Sequence, residues 1–257
     1  MLVDTHCHIH WPDYQLDVEE VIKRAHDNNV NQLICVGTDK KTSILAIEFS
    51  KKHKGVYATV GVHPHYAKNY TPEDNTLEKI ILDNLDSIVA IGEIGLDYFH
   101  NKSPREDQIN LLRYQIGLAL KYNLSIIFHI REAFDDFWPI FDEFQSKGKQ
   151  IKGVMHSFTD TAENLQKGLS RGLYVGVNGF STFTKDESQK TMFESIPIEK
   201  MVFETDAPFL TPVPFRGKIN EPAYIKNIAE YHGVARHIGL DKISAITTKN
   251  ARDLFNL

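Results

Sequence analysis

Short apolar runs rich in Val and Ile alternate along the chain with longer stretches in which apolar residues recur every three or four positions. The runs are typical of buried strands in a parallel sheet, and the longer stretches are typical of helices that turn one face to a core. Eight runs are predicted to be strands, at residues 2–9, 32–38, 57–62, 88–94, 125–130, 153–157, 173–177 and 201–205. Eight strand–helix units in 257 residues predict a single α/β domain, a (β/α)8 TIM barrel over residues 1–257.

Three of the longer stretches carry a clear apolar stripe at helical spacing, which we interpret as a core-facing surface without a chemical role. The stripes are Val18, Val21, Ile22 and Ala25; Ile44, Ala46, Ile47 and Phe49; and Leu111, Leu112, Ile116 and Leu120. The longest loops, or those richest in Pro and Gly, follow strands one, three, four and eight. They extend from the carboxyl ends of strands, where active sites of barrels are assembled.

Composition places the chain among ordinary globular proteins, with 42% apolar and 25% charged residues. A net charge of −5 argues against a broad basic surface for nucleic acid, but not against a local site in which bound cations supply the positive charge. Cys7 and Cys35 lie in apolar runs and are interpreted as reduced, buried thiols. No targeting segment or membrane-length apolar run is evident, so we expect a cytoplasmic protein without a membrane anchor. The sequence leads us to infer no obligate protein partner.

The first predicted strand contains two histidines, His6 and His8, two positions apart. In an extended strand such residues project from the same face. Two neutral imidazoles side by side form a ready site for a divalent transition metal. The alternative is a pair of histidines at a wet strand end, so the interpretation depends on finding further ligands.

Polar residues that can bind metal also end four other predicted strands: Glu93, His129, His156 and Asp206. Burying a lone carboxylate such as Glu93 is unfavourable unless it is paired or coordinates a cation, and its position suits a bridge between two metals. The carboxyl ends of all strands in a closed barrel meet at one mouth, so the sequence predicts a metal centre there. A ligand set of imidazole and carboxylate without thiolate suits Zn, Mn, Ni, Co or Mg.

Several segments together resemble the successive signatures of the TatD family, which comprises metal-dependent deoxyribonucleases of the amidohydrolase-like barrels. The resemblance extends along nearly the whole chain to residues 250–255. The segments are Asp4-Thr5-His6-Cys7-His8, Gly61-Val62-His63-Pro64-His65, Gly92-Glu93-Ile94-Gly95-Leu96-Asp97-Tyr98, His156-Ser157-Phe158, Glu204-Thr205-Asp206-Ala207-Pro208-Phe209-Leu210, Arg216-Gly217-Lys218 and Asn220-Glu221-Pro222.

The resemblance implies a centre of two divalent metal ions. One ion would be held by His6, His8 and Asp206, and the other by His129 and His156, with Glu93 shared between them. Such a pair suits phosphodiester cleavage, because two cations acidify a bridging water and neutralise phosphate oxygens. Glu93 and Asp206 are therefore the predicted catalytic residues, and Asp206 is the candidate acceptor of the water proton.

Three residues around this centre are predicted to bind substrate: His63, His65 and Arg131. His63 and Arg131 are inward-facing donors beside the metals, which suits contact with phosphate. His65 is alternatively a loop histidine that only makes local hydrogen bonds. Glu204 either orients a metal ligand or is an internal polar residue of the barrel.

Other residues near the mouth remain open in their role. Asp97, placed by the sequence in the loop after strand four, is expected to orient a ligand or to cap a turn. Four aromatic residues are candidates for stacking on bases, or else for packing: Tyr98, Phe99, Phe209 and Phe215. Five histidines are interpreted as surface residues away from the strand ends: His26, His53, His100, His232 and His237.

The predicted function is hydrolysis of DNA phosphodiester bonds, at ends or in single strands, by a metal-activated water. One alternative is hydrolysis of another bond on the same centre, such as the ester of an aminoacyl-tRNA, an amide, a lactone or a small phosphoester, because fold and metals alone do not select the substrate. A second alternative is a non-catalytic module that retains the fold. That alternative predicts the loss of ligands, yet all six are present.

Overall fold

A computed structural model describes residues 1–71, 74–146, 148 and 150–257, and it confirms the predicted (β/α)8 barrel. The strands are β1 Leu2–Cys7, β2 Val30–Val36, β3 Val56–Val60, β4 Ile88–Asp97, β5 Ser125–Arg131, β6 Gly153–Met155, β7 Tyr174–Val177 and β8 Met201–Phe203. The α-helices are α1 Val18–Asp27, α2 Lys40–Lys52, α3 Thr76–Leu82, α4 Arg105–Tyr122, α5 Phe134–Ser146, α6 Ala162–Ser170, α7 Glu187–Ser195, α8 Ile225–Ala235 and α9 Leu240–Phe255. Short 3-10 helices lie at Pro64–Asn69, Leu85–Ser87, Gly179–Thr182, Ile198–Lys200 and Pro222–Tyr224.

The eight strands pair in chain order and every pair is parallel, from β1 to β8. The sheet curls until its two edges meet, where a parallel bridge joins Cys7 to Ala207 just beyond β8. The Thr5 hydroxyl also donates to the Phe203 carbonyl across this seam. All carboxyl ends of the strands therefore surround one mouth.

The opposite end of the barrel is sealed by α9. Leu254 and Phe255 of this helix pack with Ile34, Ile127 and other buried apolar residues from the strands. The Ser125 hydroxyl, at the start of β5, donates to the Leu254 carbonyl. A second and larger apolar cluster lies between the strands and the surrounding helices. Apolar side chains dominate this end of the barrel, whereas the clustered histidines and carboxylates lie at the mouth.

Local sequence explains where helices begin after the strands. The Asp17 side chain accepts hydrogen bonds from the first turn of α1, and Asp39 does the same for α2. Such caps satisfy backbone N–H groups that have no partner within the helix. The predicted stripe of α2 is wrong at Ile44, whose side chain is exposed.

The fourth strand is longer than predicted, because it continues through Gly95 to Asp97. A Cβ atom at Gly95 would lie 1.7 Å from the His129 carbonyl oxygen, so glycine here lets β4 lie against β5. The sequence therefore misplaces Asp97 in a loop, whereas it is the last residue of the strand. No helix among the described residues is long and apolar enough to cross a membrane.

Candidate metal centre

His6 in β1 and His8 just beyond it project into the mouth, with their Nε2 atoms 3.2 Å apart. Nδ1 of His8 lies 2.9 Å from the Val36 carbonyl oxygen. A carbonyl only accepts, so the proton of a neutral His8 is on Nδ1 and Nε2 carries a lone pair. Val36 thus fixes both the orientation and the tautomer of the His8 ring.

Glu93 lies in the middle of the mouth, on a stretch of β4 where the pairing with β5 shifts register. It follows a cis peptide bond and is only 5% exposed. Oε2 lies 3.5 Å from His6 Nε2, whereas Oε1 lies 2.8 Å from His129 Nδ1. Oε1 is also 3.7 Å from His156 Nε2 and 3.7 Å from His63 Nε2. The two oxygens of one carboxylate therefore face two different sets of imidazoles.

Asp206 completes the first set from the segment after β8. Its backbone N–H donates to the His6 carbonyl, which holds the residue at the seam of the barrel. Oδ1 lies 3.4 Å from His8 Nε2 and 3.7 Å from His6 Nε2. The Asp206 side chain keeps 17% of its surface exposed, so it borders the open space of the mouth.

These contacts fit a cation better than an empty cluster. The lone pair of His8 Nε2 faces a carboxylate oxygen of Asp206, and Nε2 of His6 lies within 3.7 Å of both. Electron pairs facing one another repel in a buried site, whereas a cation between them is attracted by each. Three groups of ligand atoms around Glu93 and Asp206, among the described residues, have all members within 4.8 Å of one another: His6, His8 and Glu93; His6, His156 and Asp206; His63, Glu93 and His129.

Two buried carboxylates orient the histidines of the second set. Glu204 Oε1 lies 3.0 Å from His156 Nδ1, and Gly176 leaves room for it, since a Cβ there would lie 2.4 Å from Glu204 Oε2. Asp97 Oδ2 lies 3.0 Å from His129 Nε2. Carboxylates behind metal-binding histidines fix ring orientation and raise basicity. Of the two roles left open for Glu204, the contact with His156 favours the orienting one.

The charges in the mouth shift the pKa values of these groups. Burial lowers the pKa of His129 and of His156, but neighbouring carboxylates outweigh it and raise them to about 9 and about 10. Burial raises the pKa of Glu93 and Asp206, yet the surrounding histidines outweigh it and leave both pKa values below the ordinary value. Without metal, protons on His129 and His156 therefore supply positive charge beside the carboxylates.

A family model described as TatD related DNase matches residues 3–256 of the chain. The chain belongs to the TatD family of metal-dependent hydrolases. An uncharacterized metal-dependent hydrolase of Bacillus subtilis, YabD, is 39% identical over 257 residues, and the match covers both chains completely. A protein of Erwinia tasmaniensis named 3'-5' ssDNA/RNA exonuclease TatD is 32% identical, with 94% of each chain covered. The crystal structure of the TatD homologue YjjV from Escherichia coli is 26% identical, with a TM-score of 0.91 over 100% of this chain and 98% of that one.

In this TatD family member, the six predicted metal-binding residues and His63 lie together in one cluster, with Glu93 at its centre. A cavity of about 530 Å³ opens above it, and the predicted substrate residues His63, His65 and Arg131 line that cavity. The ring of His65 turns to Asp97 at 2.9 Å, while the Arg131 guanidinium lies 4.2 Å from the centre of the Phe99 ring.

Of the five histidines interpreted as surface residues away from the strand ends, one is buried, and another is exposed as expected but lies beside a strand end. His232 is buried, and its ring lies 2.9 Å from the Ser181 hydroxyl within the protein. His100 is partly exposed but lines the mouth, with Nδ1 2.9 Å from Asp97 Oδ2. The spacing Asp97-x-x-His100 would be a signal only for a strand that ends at Asp97, and the sequence predicts that this strand ends at Ile94.

The candidate stacking aromatics separate into two groups. Phe209 lines the cavity and is 52% exposed, and Phe99 is also exposed beside Arg131. Phe215 instead stacks on Tyr224 with ring centres 4.3 Å apart. The Tyr98 hydroxyl donates to Asp136, so this residue is engaged in local packing.

Proposed function

We propose that the chain is a divalent-metal-dependent deoxyribonuclease that hydrolyses DNA phosphodiester bonds at strand ends or in single strands. The observation that carries this proposal is that the two carboxylate oxygens of Glu93 face separate sets of imidazoles. Those sets lie at the base of an open cavity with a cationic and aromatic rim. This arrangement suits an anionic, base-bearing polymer.

In this proposal two divalent ions, of Mg, Mn, Zn, Co or Ni, occupy the mouth. His6, His8 and Asp206 would hold one ion, His129 and His156 would hold the other, and Glu93 would serve both, since these donor atoms lie at the distances given above. When bound, a pair of such ions supplies an acidified water and neutralises charge on the phosphate.

The side chains of the protein hold the predicted metal ligands in place and accept the proton of the attacking water. Asp206 borders both the first set of donors and the cavity, so its carboxylate is placed to accept the proton of the attacking water. Glu93 lies on the buried strand β4, and its contacts with both sets of imidazoles keep the two sets at a fixed separation. Glu204 and Asp97 keep His156 and His129 in the ring orientation that the second set requires.

Substrate recognition in the proposal uses the walls of the cavity. His63 is buried beside Glu93, within reach of a phosphate oxygen bound at the centre. Arg131, at the end of β5, supplies a guanidinium to the next phosphate. Phe209 offers an exposed ring that makes an edge-to-face contact with Trp11, which suits stacking on an unpaired base. These features favour single strands over closed duplex.

The name of the Erwinia tasmaniensis relative supports this assignment, because it describes a 3'-5' exonuclease of single-stranded DNA and RNA. At 32% identity over most of both chains, the chemistry of that relative is a reasonable expectation for this chain. We therefore expect shortening from the 3' end. The substrate is nonetheless set by the site rather than by the fold.

The test uses end-labelled single-stranded and double-stranded DNA, with chelated protein re-supplied with Mg, Mn, Zn or Co. We expect metal-restored shortening of the single strand by wild type and by Glu48→Ala, which alters an exposed glutamate of α2. Glu93→Ala should show none. Aminoacyl-tRNA is offered in parallel. Deacylation without any cleavage of DNA would overturn the nuclease proposal and move the function to ester hydrolysis on the same centre.

A further inference from the structure

Asp97 gathers a second group of imidazoles four residues beyond Glu93 on the same strand. Its Oδ2 atom lies 2.9 Å from His65 Nε2, 2.9 Å from His100 Nδ1 and 3.0 Å from His129 Nε2. Its other oxygen accepts the His100 backbone N–H at 2.9 Å. A carboxylate oxygen has two lone pairs, so three ring nitrogens exceed the hydrogen bonds it accepts well.

We propose that His65, Asp97 and His100 form a binding site for a further divalent transition-metal ion, separate from the centre at Glu93. Their ligand atoms all lie within 4.8 Å of one another. Two imidazoles and one carboxylate on one side of an ion, with the other positions open, are a common ligand set for transition metals. His129 then serves Asp97 as a hydrogen-bond donor and not as a ligand of this ion.

The backbone of this second site is fixed by buried side chains. The Gln108 amide accepts from the Asp97 N–H at 2.8 Å and donates to the Asp97 and Ser103 carbonyls. The Ser103 hydroxyl donates to the His65 carbonyl at 2.8 Å. Asp97 and the loop that carries His65 are thereby held at a set distance, as a preformed ligand set requires.

Exposure gives the second site its open side. The Asp97 side chain is fully buried, whereas the side chains of His65 and His100 are 20% and 38% exposed. Both histidines line the cavity above Glu93. An ion held there has room for water or for an anionic ligand on its cavity side, near Arg131. It would add positive charge at the rim of a chain whose net charge is −5.

His129 connects the two sites while leaving them distinct. Its Nδ1 faces Glu93 at 2.8 Å and its Nε2 faces Asp97 at 3.0 Å. The ring therefore stands between the two carboxylates. His100 contacts Asp97 and His65 but, within the part of the chain that the structure describes, none of the six residues predicted to bind metal around Glu93, so His100 is the residue by which the second site is tested separately.

The experiment counts bound metal without any substrate. Chelated wild type, His100→Gln, His65→Gln and His26→Gln are dialysed to equilibrium against Zn²⁺ or Co²⁺, and metal per chain is measured. His26→Gln is the matched control, since His26 is exposed in α1. We expect His100→Gln and His65→Gln to bind one equivalent fewer than wild type and His26→Gln to bind the same. In Glu93→Ala the equivalent that depends on His100 should remain.

Equal metal content in wild type and His100→Gln would overturn the proposal. It would also be overturned if Glu93→Ala removed the equivalent that depends on His100, because the two clusters would then be a single site. Circular dichroism of each variant shows that it is folded, and His65→Gln repeats the test from a different loop. No nucleic acid is used, so failure of the nuclease proposal leaves this result standing and the reverse is also true.

Discussion

Glu93 and Asp97 are buried carboxylates on one strand, and both are surrounded by histidines, yet their surroundings differ. The partners of Glu93 come mainly from the strands and strand ends, and His6, His63 and His156 are almost fully buried. Two of the partners of Asp97 come from loops and are partly exposed. The barrel thus builds an enclosed cluster at its centre and an open one at its rim.

The two clusters differ because one is built on strand ends and the other on the segments that follow strands. Strand ends are held by the parallel sheet on both sides, so groups placed there keep a fixed separation. Loops are held only where side chains such as Gln108 and Ser103 anchor them. We expect the enclosed cluster to carry the chemistry and the open cluster to modulate charge at the rim.

The largest effect should follow removal of the carboxylate that joins the two sets in the enclosed cluster. Glu93→Ala should lower kcat/KM for single-stranded DNA by roughly 10⁴-fold, because both sets of imidazoles lose their shared partner. The fold should persist, since the apolar layers are untouched. Glu48→Ala should match wild type. Metal-dependent turnover retained in Glu93→Ala would contradict the shared role of Glu93.

Asp206→Asn should separate chemistry from binding. An amide does not accept the proton of the attacking water, so the single-turnover rate should fall roughly 10³-fold. Binding of the single strand, measured by fluorescence anisotropy, should change little, because Asn keeps the size of the side chain. A loss of binding as large as the loss of rate, with cleavage per bound complex unchanged, would remove Asp206 from the proton-accepting role.

The enclosed cluster was predictable from sequence because its residues end apolar runs. In a parallel barrel those ends must converge, so His6, Glu93, His129, His156 and Asp206 were expected to meet. In the structure these side chains lie around Glu93 at the distances given above. Nothing in the sequence gave the distances, which depend on the register shift in β4 and on the seam at Ala207.

The open cluster was not predictable for a physical reason. Gly95 is typical of a turn, so the sequence ends β4 too early and leaves Asp97 in a loop. His100 is then not predicted to lie near a strand end. Its contact with His65 depends on hydrogen bonds between segments that are distant in the sequence. The burial of His232 is missed for the same reason. Which face of a helix is buried depends on its neighbours in the fold, here Ser181.

Asp97→Asn should show how the open cluster acts on the enclosed one. An asparagine amide has one accepting oxygen where the Asp97 carboxylate has two, so it accepts fewer hydrogen bonds. The His129 ring also loses its charged partner. We expect metal affinity at the Glu93 centre to fall about 10- to 100-fold, measured by competition with a chelating dye. Asp135→Asn, an exposed site in α5, is the control. His100→Gln should leave that affinity unchanged, and an equal loss in both variants would mean that the clusters are not separable.

The smallest effect concerns the stability of the metal-free protein in alkaline solution. In the folded chain the pKa values of His129 and His156 are raised from the ordinary value of 6.5 to about 9 and about 10, by Asp97 and Glu93 for the first and mainly by Glu204 for the second. A raised histidine pKa contributes stability that is complete below pH 6.5 and is lost as the pH rises through 9 to 10. The free energy of unfolding in urea should therefore fall as the pH rises over this range.

Lysines and tyrosines elsewhere also titrate in alkaline solution. Variants are therefore needed to assign the pH dependence to the enclosed cluster. Glu204→Gln removes the main cause of the raised pKa of His156, so the loss of stability between pH 7 and 10 should be smaller than in wild type. Glu199→Gln, near the start of β8, should follow wild type. Saturating Zn²⁺ should also flatten the profile, since bound metal replaces the two protons. Identical pH profiles for wild type and Glu204→Gln would show that Glu204 does not hold a proton on His156.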